Sequence, residues 1–175
     1  MQSDDWQAVV TEHGPLVWKT AYRLVGDHDD AADCFQETFL AAFELANRQQ
    51  VRNMPALLTR LATTRAIDRI RQRSRRGRRE IAMEDWHDAP ADGAGPLGQI
   101  ENLELAEQLT ASLSQLPQRE ADVFCLRYLS GMSYREIGRQ LHIKTATAGV
   151  LLHRARTKLR EMMAPTNSKK DEVFL

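Results

Sequence analysis

Seven of the eleven residues from Arg69 to Arg79 are arginine: Arg69, Arg71, Arg73, Arg75, Arg76, Arg78 and Arg79. A guanidinium is planar, permanently charged and able to present two N–H groups to one phosphate. A run this dense cannot be an apolar core. It suits a polyanion, bound with an affinity that is indifferent to sequence and falls steeply with salt. The competing reading is internal: the tract folds back onto an acidic stretch of the same chain, and the two states can alternate. A second basic set, Arg135, Arg139, Lys144, Arg154, Arg156, Lys158 and Arg160, lies toward the C-terminus.

Bond-making chemistry has no comparable footing. The sequence has no phosphate-cradling GxxxxGKS, no GxSxG and no HExxH, so an enzyme is not expected. The acids Asp27, Asp29, Asp30 and Asp33 resemble a cation loop only loosely, because Ala31 stands where an oxygen ligand is required. Helix capping and solvation account for them, and neither a metal nor any other cofactor is expected. Cys34 and Cys125 lie 91 positions apart, each beside a phenylalanine and without CxxC spacing, and read as buried free thiols.

The 24 basic and 24 acidic side chains of the 175-residue chain cancel, which taken alone argues against a nucleic-acid binder. Their distribution reverses that conclusion. Successive blocks over 1–50, 51–79, 80–107 and 108–175 carry −6, +9, −8 and +5. Each block is longer than the Debye length of roughly 8 to 10 Å and presents its own field. No apolar run approaches the roughly 20 residues that span a bilayer, and the first residues are acidic where a signal peptide is basic. A cytoplasmic chain without membrane insertion is the expectation.

Apart from one break the pattern is helical, with no period-two strand. The break, Ala89 to Gly98, holds three glycines and two prolines and, with the acids from Glu80 onward, reads as an extended linker over 80–99. Before it, Leu16, Val17, Thr20, Ala21 and Leu24 step as a helix that Gly26 ends. Ala31, Cys34, Phe35, Thr38, Phe39, Ala42, Phe43 and Ala46 form the inner stripe of a second. A third starts at Pro55, runs through Leu57, Leu58, Leu61, Ala62, Ala66, Ile67 and Ile70, and carries the arginines. After the break comes an acidic helix over 100–116, with Leu103, Ala106, Leu109 and Leu113 inward. Pro117 restarts the chain, with Ala121, Phe124, Cys125, Tyr128 and Leu129 inward. Ser133 and Glu136 form a capping box for a short helix ending near Leu141. His142 stands at a turn and tolerates left-handed geometry, and Ala148, Leu152, Ala155, Leu159 and Met162 mark the last helix. Two helices joined by three residues, the second basic, form a helix-turn-helix. The expected fold is all-α: two small helical domains, 8–79 and 100–163, joined by the flexible acidic linker 80–99 and followed by a polar tail, 164–175.

Three segments carry a resemblance across nearly the whole chain: Asp29 to Phe39 (DDAADCFQETF), Ala66 to Arg76 (AIDRIRQRSRR), and Leu116 to Ile137 (LPQREADVFCLRYLSGMSYREI) with His153 to Arg156 (HRAR). Their order and spacing resemble the group IV, or extracytoplasmic function (ECF), sigma factors of the bacterial sigma-70 family. The resemblance implies a sigma-2 domain near 8–79, a sigma-4 domain near 100–163, and binding rather than catalysis. It implies as partners core RNA polymerase (the beta-prime clamp and beta subunits), promoter DNA and an anti-sigma factor. Asp33, Gln36 and Glu37, off the inner stripe together with Glu44, would dock on the clamp; a merely solvated face is the alternative. Thr64, Arg65, Asp68, Arg69, Arg71, Arg73, Arg75 and Arg76 would engage the −10 strand, with Thr64 where relatives carry Asn and Leu57 where they usually carry Trp. The helix-turn-helix would read the −35 element through Lys144, Thr145, Thr147, Val150 and Leu151, with Arg135, Arg139, Arg154, Arg156 and Lys158 on phosphates.

Ala148, Gly149, Val150 and Leu151 stand where relatives usually carry Val-Lys-Ser-Arg, which removes the usual guanine readers. Val150 and Leu151 then touch thymine methyl groups, meet a protein, or belong to the core of a rotated helix. The linker acids imitate a nucleic-acid backbone, space the domains, or cover the arginine helix, and Trp86 anchors on some surface. Two other classes stay open from the residues: a helix-turn-helix regulator whose first half senses a ligand, and a sigma-like interaction scaffold that does not itself initiate transcription.

Overall fold

The computed structural model describes residues 3–83 and 97–164, with side chains for 6–76 and 104–164. Readings that concern Arg78, Arg79, Trp86, the middle of the linker and the tail after Ala164, including the covering of the arginine helix by linker acids, lie outside the described residues. Seven helices and no strand are present among those described: α1 (Ser3–Val25), α2 (His28–Arg48), α3 (Met54–Met83), α4 (Leu97–Gln115), α5 (Gln118–Tyr128), α6 (Tyr134–Leu141) and α7 (Thr145–Met163). None is long and apolar enough to cross a membrane.

Local chemistry sets most of the boundaries. Gly26 turns the chain at a positive φ of 68°, and the next residue, Asp27, caps α2 by accepting from the Asp30 amide at 2.9 Å. Asn53 does the same for α3, accepting from the Ala56 amide at 3.0 Å. Three helices outrun the sequence reading. α1 begins well before Leu16, because Trp6, Val9 and Val10 also find an apolar surface. The supposedly extended linker is helical at both ends, α3 continuing to Met83 and α4 starting at Leu97. Arg, Glu, Ile, Ala and Met all propagate a helix well, so Gly77 alone does not stop α3.

Buried side chains form three clusters. One belongs to the first half, with Val17, Phe39, Leu57, Leu58 and Leu61 packed under Trp6 and Phe35. Another belongs to the helix-turn-helix, with Val123, Leu126, Ile137, Ala148 and Leu152. The third is shared: Leu24, Cys34, Ile67 and Ile70 of the first half meet Leu113, Leu116, Cys125 and Leu159 of the second. A fully buried Leu or Ile contributes about 1.5–3 kcal/mol, against about 1 kcal/mol for a typical hydrogen bond. The apolar seam therefore holds the halves together, and the polar contacts across it set their register. Both cysteines lie in this seam, unpaired. Burial pushes the Cys34 thiol up to about 11 and the Cys125 thiol up to about 12, so both are unreactive at neutral pH.

Some expected inner-face residues point outward. Tyr128 is 52% exposed, because it is the last residue of α5 and its ring lies over Phe124 with centroids 4.9 Å apart. Phe43, Ala106 and Met162 are exposed as well. Conversely, Glu120 and Asp122 are buried on α5.

Candidate nucleic-acid interface

The arginines of α3 divide by what faces them. Arg69 reaches across to α2, with Asp33 at 2.9 Å, Glu37 at 3.5 Å and Asp30 at 3.6 Å. Its side chain is only 22% exposed. Although burial opposes its charge, these acids hold the guanidinium even more firmly protonated than usual. Arg65 pairs with Glu37 at 3.7 Å and Arg73 with Asp30 at 3.8 Å. The acidic face of α2 is thus partly neutralised from within, while Gln36 and Glu44 remain open. Arg75 and Arg76 are exposed and make no ion pair among the described residues. Such exposed pairs are worth up to about 1 kcal/mol and exchange readily with phosphate.

Other α3 residues turn toward the second half. Arg71 donates from Nε to the Ser114 carbonyl at 3.3 Å and from Nη2 to the Leu116 carbonyl, closing the C-terminal end of α4; Asp68 lies 4.0 Å away. Arg23 of α1 donates in the same way to the Leu129 carbonyl at the end of α5. Helix C-termini leave carbonyls unpaired at the negative end of the dipole, so a guanidinium fork is a suitable cap. Thr64 Oγ1 donates to Asp122 Oδ1 at 3.3 Å, and Gln118 Nε2 donates to the same oxygen at 3.3 Å. Burial dominates at Asp122 and pushes its carboxyl from 3.8 up to about 6, against these two hydrogen bonds and with Asp68 adding like charge.

The helix-turn-helix is fixed by its corner. Ser133 and Glu136 form the reciprocal capping box, the Ser133 amide donating to Glu136 Oε2 at 2.8 Å. His142 adopts the left-handed conformation, φ 53° and ψ 44°. A Cβ on Gly138 would stand 2.9 Å from the Ile143 carbonyl oxygen, so glycine is what lets α6 and the turn approach. Lys144, Thr145, Ala146 and Thr147 are exposed at the start of α7, and Arg135, Arg139, Arg154 and Arg156 are exposed around them. Val150 is 51% exposed, whereas Leu151 is half-buried against the helix-turn-helix cluster and Ala148 is buried. Lys158 is held by Glu120, with Nζ 2.9 Å and 3.1 Å from the two carboxylate oxygens, a structural pair that takes it out of the free basic surface.

Three features escaped the sequence reading. Leu40 is 65% exposed and, with Trp6, Phe35, Phe39 and Phe43, lines a groove of about 620 Å³ between α1 and α2, beside Gln36. Its signal is a large apolar residue one step off the inner stripe. Asp122 lies within an apolar run, where an acid has a reason to be. Arg23 has no local signal, because its partner is 106 positions away.

Residues 9–76 match the family model for Sigma-70 region 2, and residues 106–159 match that for Sigma-70, region 4. The ECF RNA polymerase sigma factor SigF of Caulobacter vibrioides is 32% identical over 142 residues, which cover 81% of this chain and 75% of that protein. The chain belongs to the ECF sigma factors of the sigma-70 family. SigE, an ECF RNA polymerase sigma factor of Mycolicibacterium smegmatis, is 34% identical over 164 residues; the match takes in 94% of this chain but spans only 63% of that relative's length. The fold is that of the sigma factor RpoE solved in complex with the anti-sigma factor NepR from Bartonella quintana, with TM-score 0.53, 21% identity, and coverage of 93% of this chain and 98% of that one. In this sigma factor the region 2 match takes in the α3 arginines up to Arg76 and the α2 side of the Leu40 groove, and the region 4 match takes in α6 and most of α7.

Proposed function

We propose that this ECF sigma factor joins core RNA polymerase in the cytoplasm, directs it to promoters and initiates transcription by binding alone, without bond-making chemistry of its own. A sigma-2 domain over 8–79 and a sigma-4 domain over 100–163 divide the work. The observation that carries the reading is the coincidence, within one chain of the family, of three exposed surfaces of different character. These are the α2 face with Gln36, Leu40 and Glu44, the cationic side of α3 at Arg73, Arg75 and Arg76, and the start of α7 from Lys144 to Thr147. The first suits the polymerase clamp, where Asp33 and Glu37 are available once Arg69 gives them up. The second suits a single DNA strand and the third a major groove. With Val150 outward and no Lys or Arg from Ala148 to Leu151, −35 readout rests on apolar contact with thymine methyl groups and on the two threonines.

Thr64 and Arg71, both in the set for the −10 strand, face the sigma-4 half in this arrangement. Engagement of that strand therefore requires the halves to part. An anti-sigma factor that stabilises the joined form would inhibit without touching every DNA contact; the Bartonella quintana sigma factor of similar fold was solved in complex with an anti-sigma factor. Run-off transcription with purified core polymerase and a promoter library tests the reading. Initiation at a subset of promoters supports it. Core binding without initiation anywhere would leave a scaffold, and no binding to core polymerase would remove the central claim.

A further inference from the structure

A cavity of about 710 Å³ opens between the α2–α3 connection and α6, and it exists only where the two halves meet. Arg52 and Arg60 line it from the sigma-2 half, Arg139 and His142 from the sigma-4 half. Glu136 is the one acid on its wall; it accepts from the Ser133 amide at 2.8 Å and the Ser133 hydroxyl at 2.7 Å, bonds that hold it ionised, so it offsets part of the charge of the three arginines. Among the described residues Arg52, Arg60 and Arg139 make no ion pair. Arg60 Nε is buried with no hydrogen-bond partner.

These facts describe a pocket with an excess of positive charge, three guanidinium groups against one carboxylate. A buried N–H that lacks an acceptor forfeits hydration and receives nothing in return, so an anion that reaches Arg60 Nε recovers a hydrogen bond. The Asp122 carboxylate offsets the loss of hydration only in part, since burial is the stronger influence on Arg60 and pulls its proton affinity down. The volume is that of a nucleotide-sized molecule rather than a single ion. The planar forks of the three arginines match adjacent phosphate groups.

We propose that this cavity binds a small multivalent oxyanion of the phosphate class, whose occupancy holds the two halves together. The coupling follows from the wall. Arg60 and Arg139 come from different halves, so parting the halves dismantles the site, and a ligand that binds only the joined form shifts the equilibrium toward it. Such an anion acts as a brake on the form that exposes Thr64 and Arg71.

The test is calorimetric titration of the full chain with inorganic pyrophosphate and, separately, adenosine triphosphate, at constant ionic strength against a sodium chloride baseline. Saturable binding is expected, weakened at least about tenfold by Arg60→Gln and by Arg139→Gln and unchanged by Arg48→Gln, an exposed arginine outside the cavity. Equal affinity for the two probes supports recognition of phosphate alone, and tighter binding of the nucleotide supports added contacts from base and ribose. No heat above baseline, or an equal loss in Arg48→Gln, overturns the site. Circular dichroism checks each variant's fold, and exposed Arg139 keeps the test decisive should Arg60→Gln not fold. The coupling is read separately: pyrophosphate at constant ionic strength should weaken binding of a single-stranded −10 oligonucleotide to the native chain and not to Arg139→Gln. Unchanged oligonucleotide binding with the site occupied refutes the brake. The calorimetry holds whether or not the chain initiates transcription, so failure of the site and failure of the sigma-factor reading remain separable.

Discussion

Replacing Asp122 by asparagine should stabilise the joined form at neutral pH and leave it unchanged in acid. Asp122 is 5% exposed and its carboxyl titrates near 6 instead of 3.8, chiefly because burial disfavours the charge. Each tenfold change in proton affinity is worth about 1.4 kcal/mol, so keeping this group ionised at pH 7 costs the folded chain about 3 kcal/mol. The sign follows from the raised value. Between about pH 4 and pH 6 the folded chain holds a proton that the unfolded chain has released. Asp122 thus contributes its full stability below the unfolded value and loses it as pH rises through about 6. The asparagine side chain keeps an oxygen for Thr64 and Gln118 but carries no charge. Urea unfolding of both chains from about pH 4 to pH 8 should give nearly equal stabilities at the acid end and a gain for Asp122→Asn of up to about 3 kcal/mol at the other. A loss of the same size at every pH would refute the reasoning, because the native carboxylate would then be a well-paired anion and not a desolvated one.

Other perturbations have equally definite outcomes. In thermal melts Gly138→Ala should lose about 1–3 kcal/mol, since its Cβ would meet the rigid Ile143 carbonyl. Gly149→Ala should gain up to about 1 kcal/mol, with nothing within 4 Å of the new methyl. Lys158→Ala should destabilise by about 1–3 kcal/mol by leaving buried Glu120 unpaired, and adding Glu120→Gln should restore most of that; if only DNA affinity falls, the pair is not structural. Arg23→Ala removes the cap on the Leu129 carbonyl and should raise affinity for a −10 oligonucleotide about fivefold, with a larger radius of gyration in solution scattering.

Helix content, the capping box, the left-handed turn at His142 and, Phe43 and Met162 apart, the inner stripes of α2 and α7 were legible in the residue order, because each depends on contacts within a few residues. The arginine tract was legible as a cation source, though not in its partition. Arg69 and Arg71 lie two positions apart with the same chemistry, yet one neutralises α2 and the other caps α4. Only the direction in which α3 presents each side chain separates them. Leu40, at the apolar groove, and buried Asp122 were missed for the same reason, since exposure is a property of neighbours and not of residue type.

Taken alone, the amino-acid order determined the elements, the alternating charge blocks and the likeness to the family, all of which rest on local spacing. Whether opposite charges meet was decided by tertiary structure: Asp30, Asp33 and Glu37 of the acidic first block lie against Arg65, Arg69 and Arg73 of the basic second one. The union of the halves through Leu24, Ile67, Leu113 and Leu159 was decided there too. The physical reason is range. Helix propensity and capping act over three or four residues, whereas apolar burial and ion pairing depend on which surfaces the folded chain brings within a few ångströms.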